Sequence, residues 1–176
     1  MPSCHCHGNA MKLDYFAPSE FNLRPYGGDD WWHMMSQETL LLLDRVRALH
    51  GARIDISPHK GALGRHLGAS FSDHNVDRWR EVRVADVFPH MDQTPEAAQK
   101  FVDVCFEAGV TALGVYPHWI NKRGNQQVGF HIGYRPERTD NPATWGMIRY
   151  KRRGTQHMVP LHHAVGLVGT PPRGPL

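Results

Sequence analysis

Two segments with the start and stop signals of a helix constrain this fold more than any other feature of the sequence. Ser36 and Thr94 are residue types that cap a helix N-terminus, and each precedes a segment whose apolar residues recur at helical spacing. A glycine follows each segment, where a helix C-terminus commonly requires a left-handed residue. The pattern therefore predicts two amphipathic helices, over residues 37 to 50 and 95 to 108.

Shorter runs between and after these helices alternate polar and apolar residues, which is typical of strands. The predicted strands cover residues 53 to 57, 82 to 88, 111 to 116, 128 to 134 and 145 to 150, with an edge segment at 158 to 165. Because helices and strands do not alternate regularly, repeated βαβ units are not expected. We predict an α+β fold in which an antiparallel or mixed sheet carries the helices on one face.

The two ends of the chain differ in composition from its middle. Residues 1 to 35 hold proline, glycine and paired acids without periodicity, which predicts an irregular N-terminal arm. Residues 36 to 166 form the predicted folded domain, and residues 167 to 176, rich in proline, form an extended C-terminal tail. For Trp31 and Trp32 in the arm, burial is favoured over an exposed platform for carbohydrate or a partner.

The composition excludes several classes of protein. With 40% hydrophobic and 21% charged residues the chain is typical of soluble globular proteins, and no run approaches the roughly 18 apolar residues of a membrane span. The formal charge is only +3, and the run of Lys151, Arg152 and Arg153 is more typical of a solvated strand end than of a nucleic-acid patch. We expect neither a membrane nor a nucleic-acid partner. Residues 1 to 20 lack the pattern of a secretory signal, so we expect cytoplasmic synthesis without that route of export.

The three cysteines do not point to a disulfide framework. Cys105 falls among the apolar residues of the second predicted helix, where a small thiol fits a core. The cluster Cys4-His5-Cys6-His7 offers four donors for zinc or copper. Alternate residues on one extended arm do not easily reach a single tetrahedral ion, so a flexible arm is favoured over a metal site.

The chain has thirteen histidines, and two of them, together with one aspartate, are notable for their positions in the predicted strands and the loop between them. Asp86 and His131 lie inside predicted apolar strands, and His74 closes the long loop before the second strand. A buried acid or imidazole is costly unless something pairs with it. Two histidines and one aspartate also match the three protein ligands of catalytic zinc, whose fourth position is left for water. The alternative is that Asp86 caps a loop and His131 is a satisfied core histidine. Histidines with weaker claims are His118, His162 and His163.

The sequence around these residues resembles a known superfamily. The Ser-Asp-His run that ends at His74 and the Val-Ala-Asp run that ends at Asp86 are similar to the signature of the zinc D-Ala-D-Ala carboxypeptidase/Hedgehog superfamily. The Gly-Phe-His run that ends at His131, followed by Trp145, resembles the phage and bacterial branch, whose third zinc ligand is this last histidine. The resemblance covers roughly residues 36 to 150.

The resemblance implies a fold, a cofactor and a substrate class. The implied fold is Hedgehog/DD-peptidase-like, with one zinc ion held by His74, Asp86 and His131. The implied activity is cleavage of peptide bonds in peptidoglycan, with Lys60 or Arg65 holding the substrate carboxylate. The implied settings are a lysin released from a phage-infected cell and a phage particle.

The sequence departs from the family's pattern in the spacing and in one binding residue. The segment between His74 and Asp86 is longer than usual, which implies an inserted turn, and a loop absorbs extra residues at little cost in free energy. Lys60 stands where the family commonly has an arginine. Lysine keeps the charge but lacks the bidentate fork of a guanidinium.

A third departure concerns the general base. The family usually places an acid three residues before or two residues after the last histidine, and here those positions hold Val128 and Gly133. Asp73 and Glu81 are the remaining candidates for that role. Loss of a general base costs about 10² to 10⁴ in rate. We therefore keep two expectations: a zinc peptidase-like domain with an impaired or absent base, and a catalytically silent structural or wall-binding component that contacts neighbouring virion subunits.

Overall fold

The computed structural model of this chain describes residues 12 to 120, 125 to 149 and 156 to 172. Within these residues the fold is α+β, with one six-stranded mixed sheet and four α-helices. The strands are β1 (Ile54–Ile56), β2 (Val84–Pro89), β3 (Ala112–Ile120), β4 (Gln126–Gly133), β5 (Ala143–Arg149) and β6 (Gln156–Val159). The helices are α1 (Gln37–His50), α2 (Val76–Trp79), α3 (Pro95–Ala108) and α4 (Leu161–Val165). The predicted α+β class with a mixed sheet is confirmed.

The two long helices begin and end at the predicted residues because their signals are local. The Ser36 hydroxyl accepts a hydrogen bond from the backbone N–H of Thr39 at 3.2 Å and caps α1. Thr94 caps α3 in the same way, accepting from Ala97 at 3.2 Å. Gly109 then ends α3 with φ of 94°, in the left-handed region that favours glycine.

The sheet has the strand order β1-β2-β4-β3-β5-β6. All neighbouring strands pair antiparallel except β3 and β5, which are parallel. This arrangement places β2 and β4 side by side near the middle of the sheet. Residues directly opposite each other on paired strands point to the same face. One row across four strands therefore shares a face and consists of Asp86, His131, Gly114 and Trp145.

The opposite face of the sheet carries the long helices and the main core. In the next row, Phe130 lies opposite Val115, and its ring packs against Phe101 of α3 with centroids 4.6 Å apart. The same row continues to Gly146, where any side chain would overlap Ala164 of α4. Helix α1 packs against α3. Helices α1, α3 and α4 thus lie on the face opposite the row of Asp86 and His131.

In the predicted edge segment at 158 to 165, only residues 158 and 159 belong to a strand. Strand β6 ends at Val159, and helix α4 follows it directly. The apolar residues Leu161, Ala164, Val165 and Val168 are spaced at one, four, five and eight, which is the helical pattern. Ala164, Val165 and Val168 are buried, so the stretch folds as a helix because that spacing places them together against the core.

The N-terminal segment from residue 12 to 35 forms short 3₁₀ turns and contributes to the core. The Asp44 carboxylate of α1 accepts hydrogen bonds from the backbone N–H groups of Asp14 and Tyr15, at 3.1 and 2.9 Å. Trp31 is only 3% exposed, which confirms its predicted burial. Its ring lies against Gly64, where a side chain would come within 2.7 Å of it.

One cysteine noted in the sequence lies in the core, and two other sequence features lie outside the described residues. Cys105 is fully buried in α3, where burial raises the pKa of its thiol far above the ordinary value, as expected for a core cysteine. The cluster Cys4-His5-Cys6-His7 and the basic run that starts at Lys151 lie outside the described residues. None of the described helices is both long and apolar enough to cross a bilayer.

Candidate metal centre

Three elements bring the predicted ligands together on the face opposite the long helices. His74 lies in the loop just before α2, Asp86 lies within β2, and His131 lies opposite Asp86 on β4. Their exposed fractions are 6%, 3% and 4%. One donor atom from each side chain lies within 4.8 Å of the others. The structure therefore joins residues that are far apart in the chain into one buried cluster.

The distances within this cluster suit a tetrahedral ion. The Asp86 Oδ1 atom lies 3.1 Å from His131 Nδ1 and 3.4 Å from His74 Nε2. The imidazole rings of the two histidines meet edge to face, with centroids 4.9 Å apart. Donor atoms at zinc bond lengths of roughly 2.0 to 2.1 Å are separated by roughly 3.3 to 3.4 Å across a tetrahedron. Two of the three donor separations, 3.1 and 3.4 Å, are close to that value, and all three donor atoms lie within 4.8 Å of one another.

The surroundings of His74 favour the tautomer that binds a metal through Nε2. Its Nδ1 atom lies 2.7 Å from the carbonyl oxygen of Leu63. A carbonyl oxygen can only accept, so Nδ1 carries the proton and donates it. In the neutral ring with this tautomer, the lone pair is on Nε2, the atom that faces Asp86. A second hydrogen bond, from the backbone N–H of Arg65 to the carbonyl of His74 at 2.7 Å, fixes the loop that carries this ligand.

His131 lies between two carboxylates. Its Nδ1 atom faces Asp86, and its Nε2 atom lies 3.4 Å from Asp73 Oδ2 with no hydrogen-bond partner among the described residues. Burial acts to lower the pKa of His131, but the carboxylates of Asp73 and Asp86 outweigh it and raise the pKa above its ordinary value. Burial acts to raise the pKa of Asp86, yet its contacts with His74 and His131 hold that pKa well below the usual range.

Asp73 is fixed by two arginines that sequence reasoning did not identify. Arg135 donates from Nε to both Asp73 oxygens at 3.0 Å and also donates from Nη2, while Arg83 Nη2 lies 3.6 Å away. The Asp73 side chain is 4% exposed. Burial acts to raise the pKa of Asp73, but its contacts with His131 and Arg135 hold the pKa well below the usual range. Asp73 is therefore ionised at neutral pH and held in place by Arg135.

The three candidate ligands lie at the wall of an open cleft of about 880 Å³. Its aromatic lining consists of Phe71, Tyr116, Trp119 and Trp145, and its basic lining of His59, Arg65, Arg135 and Arg138. Gly114 makes the position of Trp145 possible, because a side chain there would come within 2.6 to 2.8 Å of the indole ring. The indole in turn packs against the His131 imidazole, with centroids 4.9 Å apart. The cleft gives a small molecule access to the cluster of His74, Asp86 and His131.

The other candidate residues predicted from the sequence differ in their distance from the cleft. Arg65 lines the cleft, with Nη2 3.9 Å from Asp86 Oδ2 and Nε donating to the carbonyl of Gly61 at 2.7 Å. Lys60 is exposed, and neither it nor Glu81 is among the described residues that line the cleft. Of the two candidate bases, only Asp73 therefore reaches the cluster.

The weaker histidine candidates lie elsewhere. His162 and His163 are exposed on α4, which packs on the opposite face of the sheet. His118 is buried beside a smaller pocket of about 180 Å³ that adjoins the cleft and shares Tyr116 and Trp119 with its lining. They do not belong to the cluster.

Comparisons with known proteins identify no relative of this chain: no family model, curated protein or solved structure matches it. The α+β fold and the buried His74, Asp86 and His131 cluster are thus the basis for a functional proposal.

Proposed function

We propose that this protein binds one zinc ion through His74 Nε2, an Asp86 oxygen and His131 Nδ1, with a fourth position directed to the cleft. The observation that carries the proposal is the convergence of three buried donors at 3.1 and 3.4 Å on the wall of an open cleft. Two imidazoles and one carboxylate are the donor set of catalytic zinc. Iron(II) uses the same donor set in some enzymes, so a metal analysis should include iron.

The proposal includes a D-Ala-D-Ala carboxypeptidase/Hedgehog-like fold. Its support is the order of the ligands along the chain, with a histidine before the strand that carries the aspartate and a second histidine on the neighbouring strand. Further support is the placement of α1, α3 and α4 on the sheet face away from the ligands. The extra turn implied by the long spacing between His74 and Asp86 corresponds to helix α2.

In this proposal the cleft receives peptides of peptidoglycan. Zinc, when bound, supplies a Lewis acid that activates water and polarises a carbonyl oxygen. Arg65 offers a partly exposed guanidinium beside Asp86, which suits a substrate carboxylate, and Arg138 adds positive charge to the lining. The aromatic side chains of Tyr116, Trp119 and Trp145 provide apolar walls for the peptide.

In this proposal, none of the acidic residues described in or near the cleft is well placed to act as a general base. Among the described residues that line it, the acids are Asp73 and Asp86. Asp86 is a ligand, and Asp73 contacts the far nitrogen of His131 and is clamped by Arg135. Asp77, in α2, accepts a hydrogen bond from the backbone N–H of Gly68 at 2.9 Å and is not among the described residues that line the cleft. We therefore propose slow hydrolysis, lower by about 10² to 10⁴ than with a well-placed base.

The lack of a free carboxylate among the described cleft residues favours a second candidate. In it the domain binds peptidoglycan peptides without cleaving them, as a structural or wall-binding component of a phage particle that contacts neighbouring subunits. Both candidates require zinc and peptide binding, and they differ only in turnover.

One sample can test both candidates. The purified chain would be analysed for zinc and iron and assayed for release of peptides from peptidoglycan, beside His131→Ala and, as a matched control, His162→Ala on α4. One zinc per chain in the wild type and the control, with none in His131→Ala, supports the metal proposal. Chelator-sensitive release that His131→Ala lacks identifies the peptidase, and peptide binding without release identifies the silent domain. No metal in the wild type contradicts the proposal.

A further inference from the structure

Asp73 occupies a special place beside the proposed metal centre. Its Oδ2 atom lies 3.4 Å from His131 Nε2, while the other ring nitrogen, Nδ1, faces Asp86 at 3.1 Å. The two carboxylates therefore lie on different sides of one imidazole. If Nδ1 were to hold the ion, Asp73 would face the other ring nitrogen of His131.

If His131 binds a metal through Nδ1, its Nε2–H group needs a hydrogen-bond acceptor. A neutral imidazole that binds metal through Nδ1 must carry its proton on Nε2. Nε2 is buried and has no other hydrogen-bond partner among the described residues. The nearest acceptor given by the structure is Asp73 Oδ2, and its side chain is 4% exposed, so solvent does not compete for it.

Arg135 fixes the position of this acceptor. Its guanidinium donates two hydrogen bonds at 3.0 Å and a third from Nη2 to the Asp73 carboxylate, from 62 residues farther along the chain. Arg83 approaches the same carboxylate at 3.6 Å and is held in turn by Glu137 Oε1 at 3.6 Å. A carboxylate held on two sides keeps its oxygen directed at the histidine.

We propose that Asp73 is a positioning residue for His131, and that it is not a general base. This inference rests on the proposed function, since it assigns His131 Nδ1 to the ion. Asp73 accepts the Nε2 proton, keeps the ring in the tautomer that presents Nδ1, and makes that nitrogen a stronger donor. Partners of this kind change metal affinity about 10- to 100-fold when they are removed from other metal centres.

A purely structural role for Asp73 makes a different prediction. Asp73 would then matter only as a counter-ion for Arg83 and Arg135, and Glu137 would be a comparable partner because it lies at the same 3.6 Å from Arg83. Glu137→Gln is therefore a matched control. It removes one carboxylate from the arginine network and leaves the contact with His131 in place.

The test compares zinc affinity, by competition with a chelator, in the wild type, Asp73→Asn and Glu137→Gln. We expect affinity to fall at least 10-fold in Asp73→Asn and to stay within about 2-fold in Glu137→Gln, since only the first change removes the charge beside Nε2. Equal losses in both variants, or no loss in Asp73→Asn, would overturn the inference and leave the zinc proposal standing. A wild type that binds no zinc would overturn both.

A second measurement needs no variant and covers the case in which Asp73→Asn does not fold. Nitrogen-15 NMR of the zinc-loaded wild type reports which ring nitrogen of His131 carries the proton. The inference requires the proton on Nε2 and the metal on Nδ1. A proton on Nδ1, with the ion on Nε2, would contradict it, because Asp73 would then face a nitrogen that has no proton to share.

Discussion

Asp86 and His131 lie directly opposite each other on β2 and β4, and the Asp86 carboxylate contacts His131 Nδ1 at 3.1 Å in a site where both side chains are buried. Burial of an unpaired charge costs several kcal/mol, so the negative charge of the buried Asp86 carboxylate must be balanced by a positive charge nearby. Two states achieve this. In one, a metal ion lies between the two residues. In the other, His131 is protonated on both ring nitrogens, with one N–H facing Asp86 and the other facing Asp73.

Zinc should stabilise the folded chain if the first state is the functional one. At free zinc 100 times the dissociation constant, binding adds about 2.7 kcal/mol to the free energy of unfolding. For a chain of this size that corresponds to a rise in melting temperature of about 5 to 11 °C. Thermal melts with and without zinc would show this rise in the wild type and in His162→Ala. An equal rise in His131→Ala would place the ion elsewhere.

The pH dependence of stability should reverse between the metal-free and zinc-loaded protein. The raised pKa of His131 means that its contribution to stability is complete below its unfolded pKa, near 6.5, and is lost as pH rises through the folded pKa. Zinc instead competes with that proton, so zinc-loaded protein gains stability over the same rise in pH.

Acid pH should destabilise the metal-free protein through a different pair of groups. The lowered pKa values of Asp73 and Asp86 give stability above their unfolded value, near 3.8, which is lost as pH falls below it. Chemical denaturation across pH 3 to 9, with zinc and with chelator, measures these trends. Parallel curves for the two samples above pH 6 would show that the ion does not displace the His131 proton.

The sequence predicted what depends on local signals or on the resemblance. Helix bounds follow from caps such as Ser36 and Thr94, which act within one turn. The ligands His74, Asp86 and His131 were identified because their context resembles a known signature. The clamp of Asp73 by Arg135 could not be predicted, since it joins residues 62 positions apart through tertiary packing.

The contact of Trp145 with His131 could not be predicted either, because it depends on the register of the strands. It requires β3 and β5 to pair in parallel, so that Gly114 lies beside Trp145. Helix α4 was misread for a different reason, because a stretch shorter than two turns carries too few residues to distinguish helical from strand spacing.

Gly114→Ala should disturb the metal centre through Trp145. The added methyl group would lie 2.6 to 2.8 Å from three indole atoms, so the ring must move from its place on His131. We expect a loss of about 1 to 3 kcal/mol in the free energy of unfolding, together with weaker zinc binding. Gly166→Ala is the control, because its nearest neighbour would be 3.6 Å away and its φ of −64° suits alanine. Equal effects of the two changes would show that Trp145 has no special role.

Arg65→Ala should weaken peptide binding without changing zinc affinity. Arg65 lines the cleft beside Asp86, and loss of a charge-assisted hydrogen bond to a substrate carboxylate costs about 10- to 100-fold in affinity. Lys60→Ala should have little effect, because Lys60 is exposed and outside the described lining. Calorimetry with a stem peptide ending in D-Ala-D-Ala measures both. A larger loss in Lys60→Ala would show that the lysine takes the carboxylate.

The central claim is that His74, Asp86 and His131 hold a single zinc ion, and an anomalous difference map from crystals of the zinc-loaded chain, measured at the zinc absorption edge, tests it most directly. We predict one peak per chain at roughly 2.0 to 2.2 Å from His74 Nε2, an Asp86 oxygen and His131 Nδ1, with the fourth position open to the cleft. A map with no peak between these residues, or with zinc held only by other side chains such as those of Cys4-His5-Cys6-His7, would contradict the account.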